Sequence, residues 1–127
     1  MLEDFGNFRA RAYTAGALPV EDALVRIMGA EEANRGVAYS LITDIDGITE
    51  NVPLPAPSRE YSMAPNPAMP PYALYNLEIS ADGYFPKRIY GIAVFAGVDA
   101  LQEINMIPSS DDLPEDYPRQ NVNANLE

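Results

Sequence analysis

The sequence predicts an all-β fold, an Ig-like antiparallel β-sandwich of about seven strands. Three observations carry that expectation. The stretch from Pro71 to Pro108 reads as consecutive strands with turn residues between them. Thr43-Asp44-Ile45-Asp46-Gly47 has the chemistry of a tight turn, because glycine accepts positive φ at no steric cost. Ala81-Asp82-Gly83-Tyr84-Phe85-Pro86 reads as a corner between two strands.

Each element follows from its residues. Phe8 to Tyr13 alternates apolar and charged residues, as a half-buried strand does. Gly16 and Pro19 form a loop. In Val20 to Ile27, residues Ala23, Val25 and Ile27 share one face and Arg26 lies on the other. A helix over residues 20–33 is the rival, since Glu21, Ala23, Leu24, Met28, Glu31 and Glu32 tolerate it. The β-branched Val25 and Ile27 favour strand. Asn34-Arg35-Gly36 is a turn, Val37 to Thr43 a strand, and Ile48 to Leu54 a short strand beyond the Asp46-Gly47 turn.

The chain changes character between Pro53 and Pro71, where Pro53, Pro55, Pro57, Pro65, Pro67, Pro70 and Pro71 fall. Proline fixes φ and removes a donor, so a polyproline-like crossover is expected there rather than a central strand or helix. Ala73 to Ser80 then alternates, with Tyr75, Leu77 and Ile79 on one face and Asn76, Glu78 and Ser80 on the other. Ile89 to Phe95 is the next strand and Ala100 to Ile107 the last. From Ser109 to Glu127 the apolar pattern stops. Asp111, Asp112, Glu115, Asp116 and Glu127 outweigh Arg119, so an acidic flexible tail is expected. The organisation expected is thus one sandwich domain over residues 1–108, with residues 53–71 as crossover, and a tail over 109–127.

Composition bounds the chemistry. With 127 residues the chain suits one domain, and 47% hydrophobic residues suffice for a core. A net charge of −11 argues against phosphate-mediated nucleic-acid binding and against an anionic membrane surface. Cysteine and histidine are both absent. That excludes disulfides, thiolate or imidazole catalysis and Cys- or His-based metal sites. No cofactor is expected. The N-terminus carries acids where a signal peptide would be basic, and no apolar run is long enough to span a bilayer. Cytoplasmic synthesis is expected, followed by association with a spore or a particle released by lysis.

Each candidate site in the sequence also has an ordinary structural role open to it. Asp44, Asp46 and Glu50 resemble part of a calcium loop, but a turn explains them better. Glu21-Asp22 and Glu31-Glu32 are adjacent acids of the kind that usually sit solvated at a surface rather than in a catalytic pair. Pro67-Ala68-Met69-Pro70 matches a P-x-x-P ligand pattern that is more economically a structural crossover. Tyr61, Met63, Met69 and Tyr72 sit together in the proline-rich stretch. They form either an apolar patch for a partner or a cover over the open end of the sandwich.

The order of these features resembles the carboxypeptidase regulatory-like domain, a transthyretin-like β-sandwich. Pro19, Val20, Ala23 and Val25 match its P-(V/I)-x-x-A-x-V motif. Thr43, Asp44 and Gly47 match T-D-x-x-G, and Ala81, Gly83 and Tyr84 match A-x-G-Y. A narrower pattern is similar to the N-terminal module of clostridial-type spore cortex-lytic and peptidoglycan-binding proteins. It rests on Leu54, Ala56, Pro57, Ser62, Pro65, Pro71, Tyr72, Tyr75, Gly91, Ile92, Val94, Phe95, Gly97, Gln102, Asn105, Ile107 and Pro108. These resemblances imply a non-catalytic structural or binding module for assembly or attachment at the cell envelope or spore. The implied partner is a protein, another copy, or peptidoglycan. The alternative is a self-assembling subunit of a phage tail, contractile particle or extracellular filament. Contact would be made by pairing at a sheet edge or through a Tyr/Met patch.

Overall fold

Alternation of apolar side chains along each strand places two sheets face to face, with the core between them. The computed structural model describes residues 2–60 and 70–109. Among these, eight strands occur in chain order: β1 Asp4–Thr14, β2 Leu18–Pro19, β3 Leu24–Gly29, β4 Ala38–Ile42, β5 Val52–Ala56, β6 Tyr72–Ser80, β7 Lys87–Phe95 and β8 Asp99–Asn105. No described helix is long and apolar enough to cross a membrane.

The first sheet is built around β1. One edge of β1 pairs antiparallel with β2 and β5. The other edge pairs with β8, and this pairing is parallel, with Asn7 opposite Asp99 and Tyr13 opposite Asn105. The second sheet has the order β4-β3-β6-β7, antiparallel throughout. The fold is therefore the expected all-β sandwich, with one parallel pair that alternation cannot reveal, since it reports a strand's face and not its direction.

Phe8, Ala10 and Ala12 of β1, Val52, Leu54 and Ala56 of β5, and Ile104 of β8 point inward from the first sheet. Val25 and Ile27 of β3, Tyr75, Leu77 and Ile79 of β6, and Val94 of β7 meet them from the second. Each of the buried Val, Leu, Ile and Phe side chains among these contributes about 1.5–3 kcal/mol of transfer free energy, and each alanine less.

The expectation of a continuous proline crossover from residue 53 is corrected. Val52–Ala56 is strand β5, although it contains Pro53 and Pro55. Among the described residues it is an edge strand, paired only with β1. Gly6 faces Leu54 and Phe8 faces Val52, while the prolines fall at the intervening positions, whose backbone turns away from β1. A missing N–H costs nothing there. The outward carbonyls of Pro53 and Pro55 accept the hydroxyls of Tyr39 (3.2 Å) and Tyr75 (2.6 Å) from the second sheet. Residues 61–69 of the expected crossover, and 110–127 of the expected tail, lie outside the described residues.

The strand expected over Ile48 to Leu54 is likewise displaced. Ile48 makes an isolated bridge to Arg11, and regular pairing begins only at Val52. The Asp46-Gly47 turn thus carries the chain from the second sheet to the first instead of closing a hairpin within one sheet. Strand, not helix, is the outcome for Leu24–Gly29, as the β-branched residues favour.

Candidate binding face

The most exposed aromatic side chain among the described residues is Tyr90 of β7, at 69%. Its position follows from a slip in pairing. Tyr75 of β6 faces Ile92 and Leu77 faces Ile89, so Asn76 lies opposite both Tyr90 and Gly91. The extra residue is a β-bulge. Gly91 takes φ +70, which glycine adopts freely, and its N–H donates to Asn76 Oδ1 at 3.0 Å. Ile89 and Ile92 both remain turned toward the core, and Tyr90 stands on the outer face.

Around Tyr90 the outer face is polar on one side and apolar on the other. Arg88 Nε donates to Glu78 Oε2 at 2.7 Å. That hydrogen bond holds the Arg88 guanidinium above its ordinary pKa, with Tyr90 contributing less. Arg26 of β3 is in register with Glu78 on its other side. Met28, Asn76, Leu77, Glu78, Arg88 and Tyr90 line a shallow depression of about 240 Å³. Toward the start of β6, Tyr72 pairs with Phe95 and Leu74 with the exposed Ala93. The Tyr72 and Phe95 rings meet edge-on, 5.5 Å apart at 61°.

Of the four residues expected to form a partner patch, Tyr61, Met63 and Met69 lie outside the described residues. Tyr72 is half-buried against Phe95 on the outer face of the second sheet. Tyr90 was not singled out from the sequence. The signal for it was available: a glycine inside a strand pattern, here Gly91, marks a bulge.

Three of the candidate acidic groups, Asp44, Glu31 and Glu32, have local partners. Asp44 Oδ1 accepts the N–H groups of Asp46 (2.9 Å) and Ile48 (3.0 Å), an Asx turn. Glu31 Oε1 accepts the Leu74 N–H at 3.1 Å, and Glu32 pairs with Arg35 at 3.2 Å. Asn34, buried, accepts from Glu31 N–H and donates to the Leu74 carbonyl, both at 2.9 Å. Glu31 and Asn34 therefore fasten the loop after β3 to the start of β6. Among the described residues no cluster of three or more metal-ligating side chains occurs. Residues 67–69 of the P-x-x-P match lie outside the described residues.

The motif residues that resemble the regulatory-like domain serve the frame rather than a site. Val20, Ala23 and Val25 are core residues. Thr43, buried, donates to the Val20 carbonyl (2.7 Å) and accepts from Ala23 N–H (2.8 Å). Tyr84 bridges to Pro108.

No protein-family model matches this sequence, and no curated protein matches it. Solved structures do resemble the fold. The TIE protein of Bacillus anthracis superposes with TM-score 0.57 at 16% identity, over 84% of this chain and 17% of that one. The 3-chlorocatechol 1,2-dioxygenase of Rhodococcus opacus 1CP gives TM-score 0.56 at 16% identity, over 84% of this chain and 60% of that one. The catechol 1,2-dioxygenase of Acinetobacter sp. ADP1 gives 0.55 at 14%, over 91% and 57%. The chain spans less than two thirds of each of these proteins, and at such identity the likeness establishes a shared all-β architecture alone.

Proposed function

We propose that this chain is a non-catalytic attachment module that holds its partner at the cell envelope through the outer face of the second sheet. The observation that supports this reading is Tyr90, thrown outward by the Gly91 bulge beside Asn76, Glu78 and Arg88. An exposed ring on a rigid sheet offers a stacking platform at low entropic cost. The adjacent amide, carboxylate and guanidinium offer donors and acceptors for the hydroxyl, amide and carboxylate groups of a glycan with peptide substituents. Peptidoglycan has that chemistry. The depression is shallow and open, which suits a strand of polymer lying across it rather than a small molecule enclosed.

Co-sedimentation with peptidoglycan sacculi tests the reading. The wild-type chain is expected to pellet with sacculi and to stay soluble without them, and Tyr90→Ala to stay soluble in both. A wild-type chain that remains in the supernatant with sacculi overturns the proposal. Pelleting alone as ordered particles would replace it with a self-assembling subunit.

A further inference from the structure

The other sheet ends in an edge whose backbone is open toward the rest of the described residues. Among these, strand β8 pairs only with β1, in parallel. Asn7 N–H donates to the Val98 carbonyl (3.1 Å), and Met106 N–H donates to the Tyr13 carbonyl (2.7 Å). Together with the register these two bonds fix the phase of the ladder. Even-numbered residues of β8 turn their backbone groups to β1, and Asp99, Leu101, Glu103 and Asn105 turn theirs away. Among the described residues only two groups meet these outward ones. Gln102 Nε2 reaches the Glu103 carbonyl at 3.3 Å, and Lys87 Nζ reaches the Asn105 carbonyl at 2.6 Å. The amide and carbonyl groups of Asp99 and Leu101 meet no backbone partner there.

Among the described residues the remaining edges are guarded more heavily than this one, whose guards are the acids Asp99 and Glu103 and, at its far end, the Lys87 ammonium on the Asn105 carbonyl. Strand β5 carries Pro53 and Pro55, β7 carries Lys87, Arg88 and the Gly91 bulge, and β4 is short. Strand β8 runs for seven residues without proline, glycine, lysine or arginine. Long, regular, lightly guarded edges are templates for another strand.

The side chains on the outer surface specify which strand. Asp99, Leu101 and Glu103 alternate along it, and Leu101 is 45% exposed. Each acid already begins a complementary row: Asn7 Nδ2 donates to Asp99 at 3.1 Å, and Arg11 pairs with Glu103 at 2.9 Å. Arg9 stands in register with Leu101 and would repel a cation placed on the far side of that residue. We propose that the open edge of β8 accepts an extended strand of a partner protein with a cation, an apolar residue and a second cation at alternate positions. The pattern is symmetric, so it fits either strand direction. A second copy of this chain is disfavoured. Each chain carries a net charge of −11, and antiparallel pairing about Gln102 sets Leu101 against Glu103 instead of setting opposite charges together. The proposal concerns the sheet opposite the Tyr90 face and stands whether or not that face binds glycan.

The test is titration of a fluorescent peptide containing Lys-Val-Val-Val-Lys with the full chain, read by anisotropy. A peptide containing Glu-Val-Val-Val-Glu is the control. The basic peptide is expected to bind about tenfold tighter, the scale of two exposed ion pairs, with the difference shrinking at high salt. Leu101→Pro removes an outward donor without touching the bonds to β1, as Pro53 and Pro55 already do in β5. It is expected to abolish binding while the circular dichroism spectrum is retained. The double variant Asp99→Lys, Glu103→Lys is expected to prefer the acidic peptide, and it decides the matter if Leu101→Pro does not fold. Absence of binding, equal binding of both peptides, or a preference that survives charge reversal overturns the proposal. So does a dimer seen by sedimentation without peptide and lost in Leu101→Pro, which would assign the edge to a second copy.

Discussion

The Tyr75 hydroxyl on β6 donates to the Pro55 carbonyl on β5 across 2.6 Å, joining the two sheets through the backbone of a proline. The tyrosine side chain is fully buried, and the carbonyl it meets belongs to the edge of β5 that turns away from β1. The same proline that removes a donor from the ladder thus supplies an acceptor to the opposite sheet.

Tyr75→Phe keeps the ring and deletes that bond. It leaves the Pro55 carbonyl without its partner and should cost about 1–2 kcal/mol. It should also change the response to alkali. Burial raises the Tyr75 hydroxyl above the ordinary phenol value of 10.0. The unfolded chain then loses this proton at lower pH than the folded chain. The contribution is complete below the unfolded value and is lost as pH rises through it toward the folded value. Urea midpoints at about pH 8 and about pH 11 should converge between wild type and Tyr75→Phe at the higher pH. A constant gap would show that ionisation of Tyr75 is not coupled to folding.

Gly47 and Gly91 share the left-handed backbone region, with φ +79 and +70, yet their surroundings differ. A Cβ on Gly47 would press on the Ala12 carbonyl and lie 3.2 Å from both the Pro19 side chain and the Val20 nitrogen. A Cβ on Gly91 would meet no atom within 4 Å. Gly91→Ala should therefore cost only the backbone strain, about 1 kcal/mol. Gly47→Ala adds a clash with backbone that cannot move aside, and should cost about 3 kcal/mol or more. Thermal unfolding of the two variants checks the ranking. Equal losses would mean that the turn after β4 yields as readily as the bulge in β7.

Thr43 anchors the turn from within. Its hydroxyl donates to Val20 and accepts from Ala23, 2.7 and 2.8 Å away, in a site that is 1% exposed. Thr43→Val preserves the shape and leaves both backbone groups unpaired in the core, which should cost about 2–3 kcal/mol. Thr49→Val loses one comparable bond, accepted from the Ala10 N–H at 2.9 Å, and should cost about half as much. Denaturant titration of both variants tests the ratio. A Thr43→Val loss no larger than that of Thr49→Val would mean that water or a backbone shift satisfies Val20 and Ala23.

Such roles mark where sequence reading runs out. Alternation in Phe8 to Tyr13 and Ala73 to Ser80 reports the face of each residue directly, because the side-chain period of a strand is two. It is silent on which strands adjoin, so the parallel union of β1 with β8, ninety-odd residues apart in the chain, had no local signature. Pro53 and Pro55 disguise strand β5 for a definite reason. Proline is incompatible with a strand paired on both sides, but it is tolerated at every second position of an edge. Tyr72 was visible as an aromatic near prolines, whereas the exposure of Tyr90 depends on a one-residue slip between β6 and β7. That slip is a property of two strands together, and only Gly91 hinted at it.

Arg88 separates a structural from a binding role on that face. Its ion pair with Glu78 is short, 2.7 Å, but the side chains are 63% and 32% exposed. Pairs so open to water contribute little to stability. Arg88→Met keeps the aliphatic stem along the depression and removes the charge. Its unfolding midpoint should stay close to that of wild type, while retention on sacculi should fall as it does for Tyr90→Ala. Charge reversal of Lys87, the neighbouring cation, whose ammonium is bonded to the Asn105 carbonyl at 2.6 Å, should leave retention nearly unchanged if the Arg88 effect is local. If Arg88→Met and Lys87→Glu weaken retention equally, the face attracts the wall by bulk charge, and Tyr90 and Asn76 do not form a site.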